Sequence, residues 1–397
     1  MATIPKLLNI PSAYKASKIY SQIPTDGTGD LVPSRASVAN RVNVNTVVEE
    51  MASNVLRLDY KDSACPQWLF EPQRTNLILR SEEIENAYWT IPTGGSVTAN
   101  TTTAPDGTLT ADTFIPSSSD ERQEFITSAS FGADLYCYSF FFKKETYSFI
   151  QISDNKDAVK YANFDLDTGV MGDMSAGISA TITPYADGWY RCTYSYSTVA
   201  AISFRINVVD SATSARVSNF TGNGSGGIYV WGGQLEVGDY ATSYVKTIAS
   251  QVTRIVDTIA STDVSDYITT ENAAMLVDVA SVVGTNNGGT HCIRLGDVNG
   301  RVYIYPWGNT YLGAAVQSTN GTYHTFLFTE RSKILFNISA SNVDIWVNGV
   351  KEVSTGLAFE LTTSNLAISG ASKLFRMGKF ALWNETLTDA QALEETT

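Results

Sequence analysis

The chain has 397 residues, 43% hydrophobic and 17% charged, with a formal net charge of −13. This describes a globular protein of two or three domains and excludes a disordered chain. The acidity excludes broad electrostatic binding to nucleic acid, which needs basic patches, and no apolar run approaches the roughly 20 residues that span a bilayer.

The first residues, Met1-Ala2-Thr3-Ile4-Pro5-Lys6, lack the apolar core and cleavage site of a signal peptide, so synthesis in a cytoplasm is expected. Residues 1–60 hold apolar islands without clear periodicity, and Asp26, Gly27, Gly29 and Asp30 supply turn chemistry. Such a stretch is too short and irregular to bury a large core alone. It reads as an irregular arm that docks on the body, a sister subunit or a larger assembly. Residues 65–77 follow, with the sequence CPQWLFEPQRTNL. Pro66 and Pro72 push Cys65 and Glu71 towards extended backbone, and Trp68, Leu69 and Phe70 form an apolar plug between them. The expectation is an ordered strap that seals the first sandwich, with Trp68 and Phe70 buried and Glu71 and Arg74 in structural roles.

Ser81, followed by Glu82, Glu83 and Glu85, reads as the capped start of a short helix that ends at Tyr88 and Trp89. Ala104-Pro105-Asp106-Gly107 is a turn. From residue 136 strands recur: 138–144, 147–153, 161–166, 188–196, 203–208 and 228–231, the last preceded by the glycine-rich loop 222–227. Residues 247–270 read as a linker and domain entry. A second series then runs through 274–279, 291–295, 302–306, 323–329, 333–338, 343–347 and 375–383. Asn348-Gly349 marks a hairpin, because both residues tolerate positive φ, and residues 388–393 read as a short capped helix. Strands at this spacing, without intervening helices, predict an all-β chain. The expected layout is an arm over 1–80 followed by two antiparallel, jelly-roll-like β-sandwiches over 81–248 and 249–397. Trp189, Trp231, Trp346 and Trp383 lie in strands and are expected to be core.

The chemistry of a hydrolase was sought in the carboxylates. Glycoside hydrolysis uses two facing carboxyl groups, and no Glu-x-Asp-x-x-Glu run is present. Glu71 and Glu236 read as structural, and the adjacent pairs Glu49-Glu50 and Glu82-Glu83 as solvated surface. His291 and His324 sit in strand patterns without a nucleophile motif. Asp154-Asn155-Lys156-Asp157 reads as a plain turn, since it lacks the bidentate Glu of a calcium loop. Cys65, Cys137, Cys192 and Cys292 are scattered and read as free, mostly buried thiols. No catalytic residue, metal or cofactor is expected. The 20 Tyr, 17 Phe and 7 Trp offer sugar-stacking faces. Four aromatics in loop-like sequence are the glycan-binding candidates: Tyr147, Tyr185, Tyr311 and, foremost, Trp307 in Pro306-Trp307-Gly308-Asn309.

Three groups of segments carry a resemblance. Ile10-Pro11-Ser12-Ala13-Tyr14-Lys15, Leu56-Arg57-Leu58-Asp59-Tyr60 and Leu69-Phe70-Glu71-Pro72-Gln73-Arg74-Thr75-Asn76-Leu77 resemble the front of bacteriophage virion proteins of tails or fibres. Asn86-Ala87-Tyr88-Trp89, Ala104-Pro105-Asp106-Gly107, Asp187-Gly188-Trp189-Tyr190-Arg191 and Trp231-Gly232-Gly233-Gln234-Leu235-Glu236 resemble the middle domain of that family, a carbohydrate-binding jelly roll. Val343-Asp344-Ile345-Trp346-Val347-Asn348-Gly349 and residues 380–389 are similar to laminin-G-like and concanavalin-like sandwiches. The resemblance implies a structural protein on the virion exterior. Residues 1–80 would attach it to other virion proteins, as a homo-oligomer with a trimer favoured and no membrane insertion. The sandwiches would be displayed for adhesion to host-surface glycans; a virion depolymerase is the alternative.

Overall fold

A computed structural model describes the backbone except at residues 1–2, 13, 16–17, 93, 155–159, 199–202, 284–290, 298, 308–310, 319–322, 329–330, 357–358 and 371–373. Side chains at 14–15, 261, 281–283, 306–307, 311–312, 323–325 and 328 also lie outside the description. Apart from a 3-10 turn at Ala186–Gly188 and an α-helix at Asp389–Thr396, the regular structure is β, as expected. The chain forms two compact units. A composite unit comprises residues 1–44, 50–73 and 255–397, and a middle unit comprises 45–49 and 74–254.

This division corrects the expected one. Residues 1–80 are not a separate arm, because most of them are built into the sandwich that closes the chain. Leu7–Asn9 pairs antiparallel with Leu374–Trp383, and Pro33–Ser34 pairs with Thr258–Asp263. Gln67–Phe70 pairs on one side with Leu374–Trp383 and on the other with Arg57–Asp59. Leu7, Ile19, Leu31, Leu56, Leu58, Trp68 and Phe70 all enter the same core as the C-terminal strands. The apolar islands that looked aperiodic are isolated contributions to a core whose other residues lie over 200 positions away. The strap is ordered, with Trp68 and Phe70 fully buried, and Phe70 stacks on Phe375 at 5.0 Å. It is a strand of the composite unit, not a seal on the first sandwich.

The composite unit is two sheets around one mainly aliphatic core. One sheet runs Val350–Ser354, Asn342–Val347, Ser332–Ser339, Ala273–Val283, Leu374–Trp383, Gln67–Phe70, Arg57–Asp59. The other, seven-stranded, runs Tyr323–Phe328, Tyr311–Gln317, Gly300–Trp307, Ile293–Asp297, Asn365–Ser369, Thr258–Asp263, Pro33–Ser34. The first sheet is covered on its outer face too. There Ala274, Leu276, Leu335, Trp346, Trp383, Leu387 and Ala392 form a second cluster that includes the helix Asp389–Thr396. That helix carries the expected cap, with Thr388 and Gln391 in a reciprocal capping box. Asn348 and Gly349 take φ of 47° and 81° in the predicted hairpin turn.

A buried ionic cluster holds the early segments within this unit. The Arg57 guanidinium donates to Glu71 (2.6 Å) and to Asp257, and Arg35 donates to Asp257 (2.8 Å). None of the four is more than 2% exposed. Burial disfavours the Arg57 charge, but Asp257 and Glu71 more than offset it and raise its pKa. Two cations and two anions therefore balance out of water, the condition under which a buried pair is tolerable.

The middle unit has two six-stranded antiparallel sheets. One runs Trp89–Thr90, Gln123–Thr127, Phe204–Val208, Phe149–Asp154, Tyr161–Asp165, Val170–Met174, and the other Ser96–Thr102, Ala111–Ile115, Ile228–Val237, Leu135–Lys144, Trp189–Ser197, Ser179–Pro184. Its core is aromatic: Trp89, Phe114, Phe125, Tyr138, Phe140, Phe142 and Phe204 interlock edge-on or stacked. Trp189 and Trp231 are buried as expected, but on the opposite face of their sheet, with Phe141 and Tyr244. Asn76, from the end of the strap motif, satisfies its whole amide here. It donates to the carbonyls of Gly233 and Val245 and accepts from the amides of Ile78 and Leu235. Arg74 lies over the Tyr240 ring at 5.3 Å.

Two expected elements differ. Residues 81–88 form turns rather than a helix, because the Ser81 hydroxyl bonds Tyr244 and the Thr247 carbonyl instead of capping. The expected linker, 247–270, contains the strands Val252–Arg254 and Thr258–Asp263. Residues 155–157 of the expected Asp154 turn lie outside the described residues.

Candidate functional site

The outer face of the seven-stranded sheet gathers the chemistry of the composite unit. Along Gly300–Trp307, Val302 and Ile304 point into the core, so Arg301, Tyr303 and Tyr305 point away from it. Arg294 on the neighbouring strand is the register partner of Tyr303 on the same face, and Gln317 that of Arg301 on the other side. The partners of Tyr303 and Arg294 on their far sides are Ala315 and Ala367, which leave room for large side chains. His291 precedes the strand Ile293–Asp297 and meets the Tyr303 ring edge-on at 4.4 Å.

The aromatics are fixed in place. Arg301 lies over the Tyr303 ring at 4.8 Å, and Tyr303 and Tyr305 are 5.4 Å apart. The Tyr305 ring lies across Gly313, its cross-strand partner, where a β-carbon would come within 2.4 Å of the ring. Glycine at 313 lets this tyrosine lie flat on the sheet and remain half-buried.

The electrostatics are one-sided. Among the described residues neither the Arg294 nor the Arg301 side chain makes an ion pair or hydrogen bond, and the Nε of each is buried without a partner, as is the Gln317 Oε1. The Nε of Arg57, Arg191 and Arg205 is likewise buried without a partner, so what sets Arg294 and Arg301 apart is the lack of an acceptor, among the described residues, for the rest of the guanidinium. Burial and the fields of Arg301 and Arg294 push the His291 pKa down to about 4, which keeps the imidazole neutral at pH 7. Asp297, at the strand end, feels both arginines but is hydrogen-bonded by Thr362 and the Asn299 amide, the two largest causes of its lowered pKa. In a chain with net charge −13 this is a local excess of positive charge.

Tyr303 is itself buried beneath Arg301, so the surface offers the half-buried Tyr305 ring to the apolar face of a sugar, guanidinium forks to oxyanions and a neutral imidazole that both donates and accepts. The expected candidates divide around it. Trp307 and Tyr311 are register partners at the end of the hairpin that carries Arg301, Tyr303 and Tyr305, and they belong to strands rather than to a loop. Their side chains lie outside the described residues, as does that of His324. Tyr147 and Tyr185 belong to the middle unit and are half-buried there. The Tyr147 hydroxyl accepts from the Asn223 amide and its ring meets Phe220, and Tyr185 packs edge-on against Phe141. The loop-based search missed Arg294, Arg301, Tyr303 and Tyr305. The alternation of Arg301, Tyr303 and Tyr305 against Val302 and Ile304 was the available signal.

The carboxylates considered for hydrolysis are engaged elsewhere. Glu71 pairs with Arg57, and Glu236 accepts from the amide and hydroxyl of Thr242. Cys137, Cys192 and Cys292 are buried free thiols, and Cys65 is an exposed one.

No protein-family model matches the sequence, and no curated protein matches it. Among solved structures, the chain is similar to the botulinum neurotoxin type G receptor-binding domain at 13% identity. That match covers 31% of this chain and 37% of that one, with a TM-score of 0.25. A second structure of the serotype G binding domain gives 12% identity, 35% and 39% coverage and a TM-score of 0.27. Domain 4 of AbnA, a GH43 extracellular arabinanase from Geobacillus stearothermophilus in complex with arabinotriose, gives 13% identity, 40% and 83% coverage and a TM-score of 0.28. The chain thus spans well under half the length of either neurotoxin domain it matches.

Proposed function

We propose that this protein is a glycan-adhesion component of a bacteriophage virion exterior, with the outer face of the seven-stranded sheet as its adhesive surface. The observation that carries the reading is the ordered stripe of Arg301, Tyr303 and Tyr305, with Arg294 and His291 beside it and no hydrogen-bond acceptor or ion pair for either guanidinium among the described residues. The virion assignment rests on the resemblance of the 10–77 and 86–236 segments to tail and fibre proteins. In this reading residues 1–80 contact other virion proteins through the surface of a folded sandwich, since their strands are part of its sheets. Self-association as a trimer would multiply weak sugar contacts into useful avidity. Adhesion is favoured over cleavage because the face presents cations and rings rather than a facing pair of carboxylates.

Binding of the purified chain to a glycan panel, followed by Tyr305→Ala, tests the adhesive surface. Loss of binding by at least tenfold with an unchanged unfolding midpoint is expected. Binding that survives Tyr305→Ala and Arg301→Ala together would remove the assignment to this face. Labelled antibody on intact particles tests the virion location, and absence of label from purified particles refutes it.

A further inference from the structure

Resting on that reading, we infer that the face selects acidic sugars, those bearing a carboxylate or sulfate, with Arg294 and Arg301 together receiving the anion and Tyr305 receiving the sugar ring. Three observations converge. First, the two guanidiniums reside on the same face of adjacent strands, and neither has an acceptor among the described residues. The buried guanidinium groups elsewhere in the composite unit are matched by acids: Arg57 by Glu71 and Asp257, Arg35 by Asp257, and Arg376 by Asp59 and Asp62. Second, Arg301 lies over the Tyr303 ring at 4.8 Å, which restrains the guanidinium while its terminal N–H groups, unlike the buried Nε, stay available for a bidentate oxyanion. Third, Gly313 lets the Tyr305 ring lie flat two residues along the same strand, so a ring-stacking surface adjoins the anion-binding edge. A neutral sugar would use the tyrosine and leave both guanidiniums without an acceptor. An acidic sugar answers them.

The test is a panel in which each acidic glycan is paired with its neutral counterpart: sialylated with desialylated, uronate-bearing with carboxyl-reduced, sulfated with desulfated. The acidic member of at least one pair is expected to bind tenfold or more tightly, and the pair that responds distinguishes carboxylate from sulfate. Arg294→Gln with Arg301→Gln should bring that ratio to about one while leaving residual binding to the neutral member, whereas Tyr305→Ala should weaken both members. Arg301→Lys, which keeps the charge but not the fork, should retain part of the preference. Equal binding of acidic and neutral members overturns this inference and leaves glycan adhesion standing. Binding to no glycan of either kind overturns both. Thermal unfolding of each variant checks the fold, and the glutamine pair preserves side-chain size if an alanine variant fails to fold.

Discussion

Arg205 in the middle unit and Arg301 in the composite unit occupy matching situations. Each sits in a strand whose alternate residues fill a core, Phe204 and Ile206 beside one and Val302 and Ile304 beside the other. Each points to the face away from that core. Arg205 is paired with Glu124 at 3.3 Å, and Gln151 on the adjacent strand, opposite Asn207, donates to Asn163 and to the Ala215 carbonyl. Arg191, on the other sheet of the middle unit, donates to the Thr242 carbonyl and the Ser139 hydroxyl. Arg301 has an aromatic ring beneath it and no ion pair with an acid among the described residues. The same residue type on the same kind of strand therefore serves structure where an acceptor faces it, and is available to a ligand where none does.

That contrast can be tested by removing charges. The largest effect is expected at the buried cluster: Arg57→Met or Glu71→Gln leaves a buried counter-charge and should lower unfolding stability by about 3–5 kcal/mol in denaturant titrations. Arg205→Ala exposes the same problem for Glu124, which is 1% exposed but also lies 3.7 Å from Arg122, so about 3 kcal/mol is expected. By contrast Arg294→Gln and Arg301→Gln leave no buried counter-charge behind, so each should shift stability by less than about 1 kcal/mol. A loss there comparable to that of Arg205→Ala would show that those arginines hold the fold together. Gly313→Val forces the Tyr305 ring off the sheet; a stability cost of about 1–3 kcal/mol and a change in the tyrosine near-ultraviolet dichroism are expected.

A pH dependence is expected as well. His291 has a folded-state pKa of about 4, below its ordinary 6.5. The unfolded chain therefore takes up the proton first as pH falls. The stabilising contribution is complete above pH 6.5 and is lost as pH drops through 6.5 towards 4. NMR titration of the imidazole should show this depressed value, and the Arg294→Gln, Arg301→Gln pair should raise it, because part of the shift comes from those two charges. In the middle unit Asp112 has the opposite sign. Burial, assisted by Glu85, raises its carboxyl to about 7, so its stabilising contribution is greatest at low pH and lost as pH rises through 7. Stability measured across pH 4 to 8 in His291→Gln and Glu85→Gln variants separates the two trends.

Much of the local structure was legible in the residues themselves. Period-two alternation located most strands of both sandwiches, Asn348-Gly349 set a hairpin, and Thr388 with Gln391 capped the last helix. The strap motif announced buried Trp68 and Phe70, because two prolines and an apolar triplet admit few other conformations. Local signals misled where a side chain had a distant partner: Ser81 looks like a helix cap until Tyr244 takes its hydroxyl.

What the sequence determined by itself was period, turn and burial, since these depend on neighbours along the chain. Only the tertiary structure decided which sandwich each strand joined and which face each side chain served. Leu7 and Phe70 share one core with Phe375 although hundreds of residues separate them from it, because sheet pairing is non-local. The chain could not show that Trp189 and Trp231 lie on the outer face of their sheet, nor that Arg294 stands opposite Tyr303. Whether an arginine is structural or available depends on an acceptor brought beside it by folding, and no spacing along the chain encodes that.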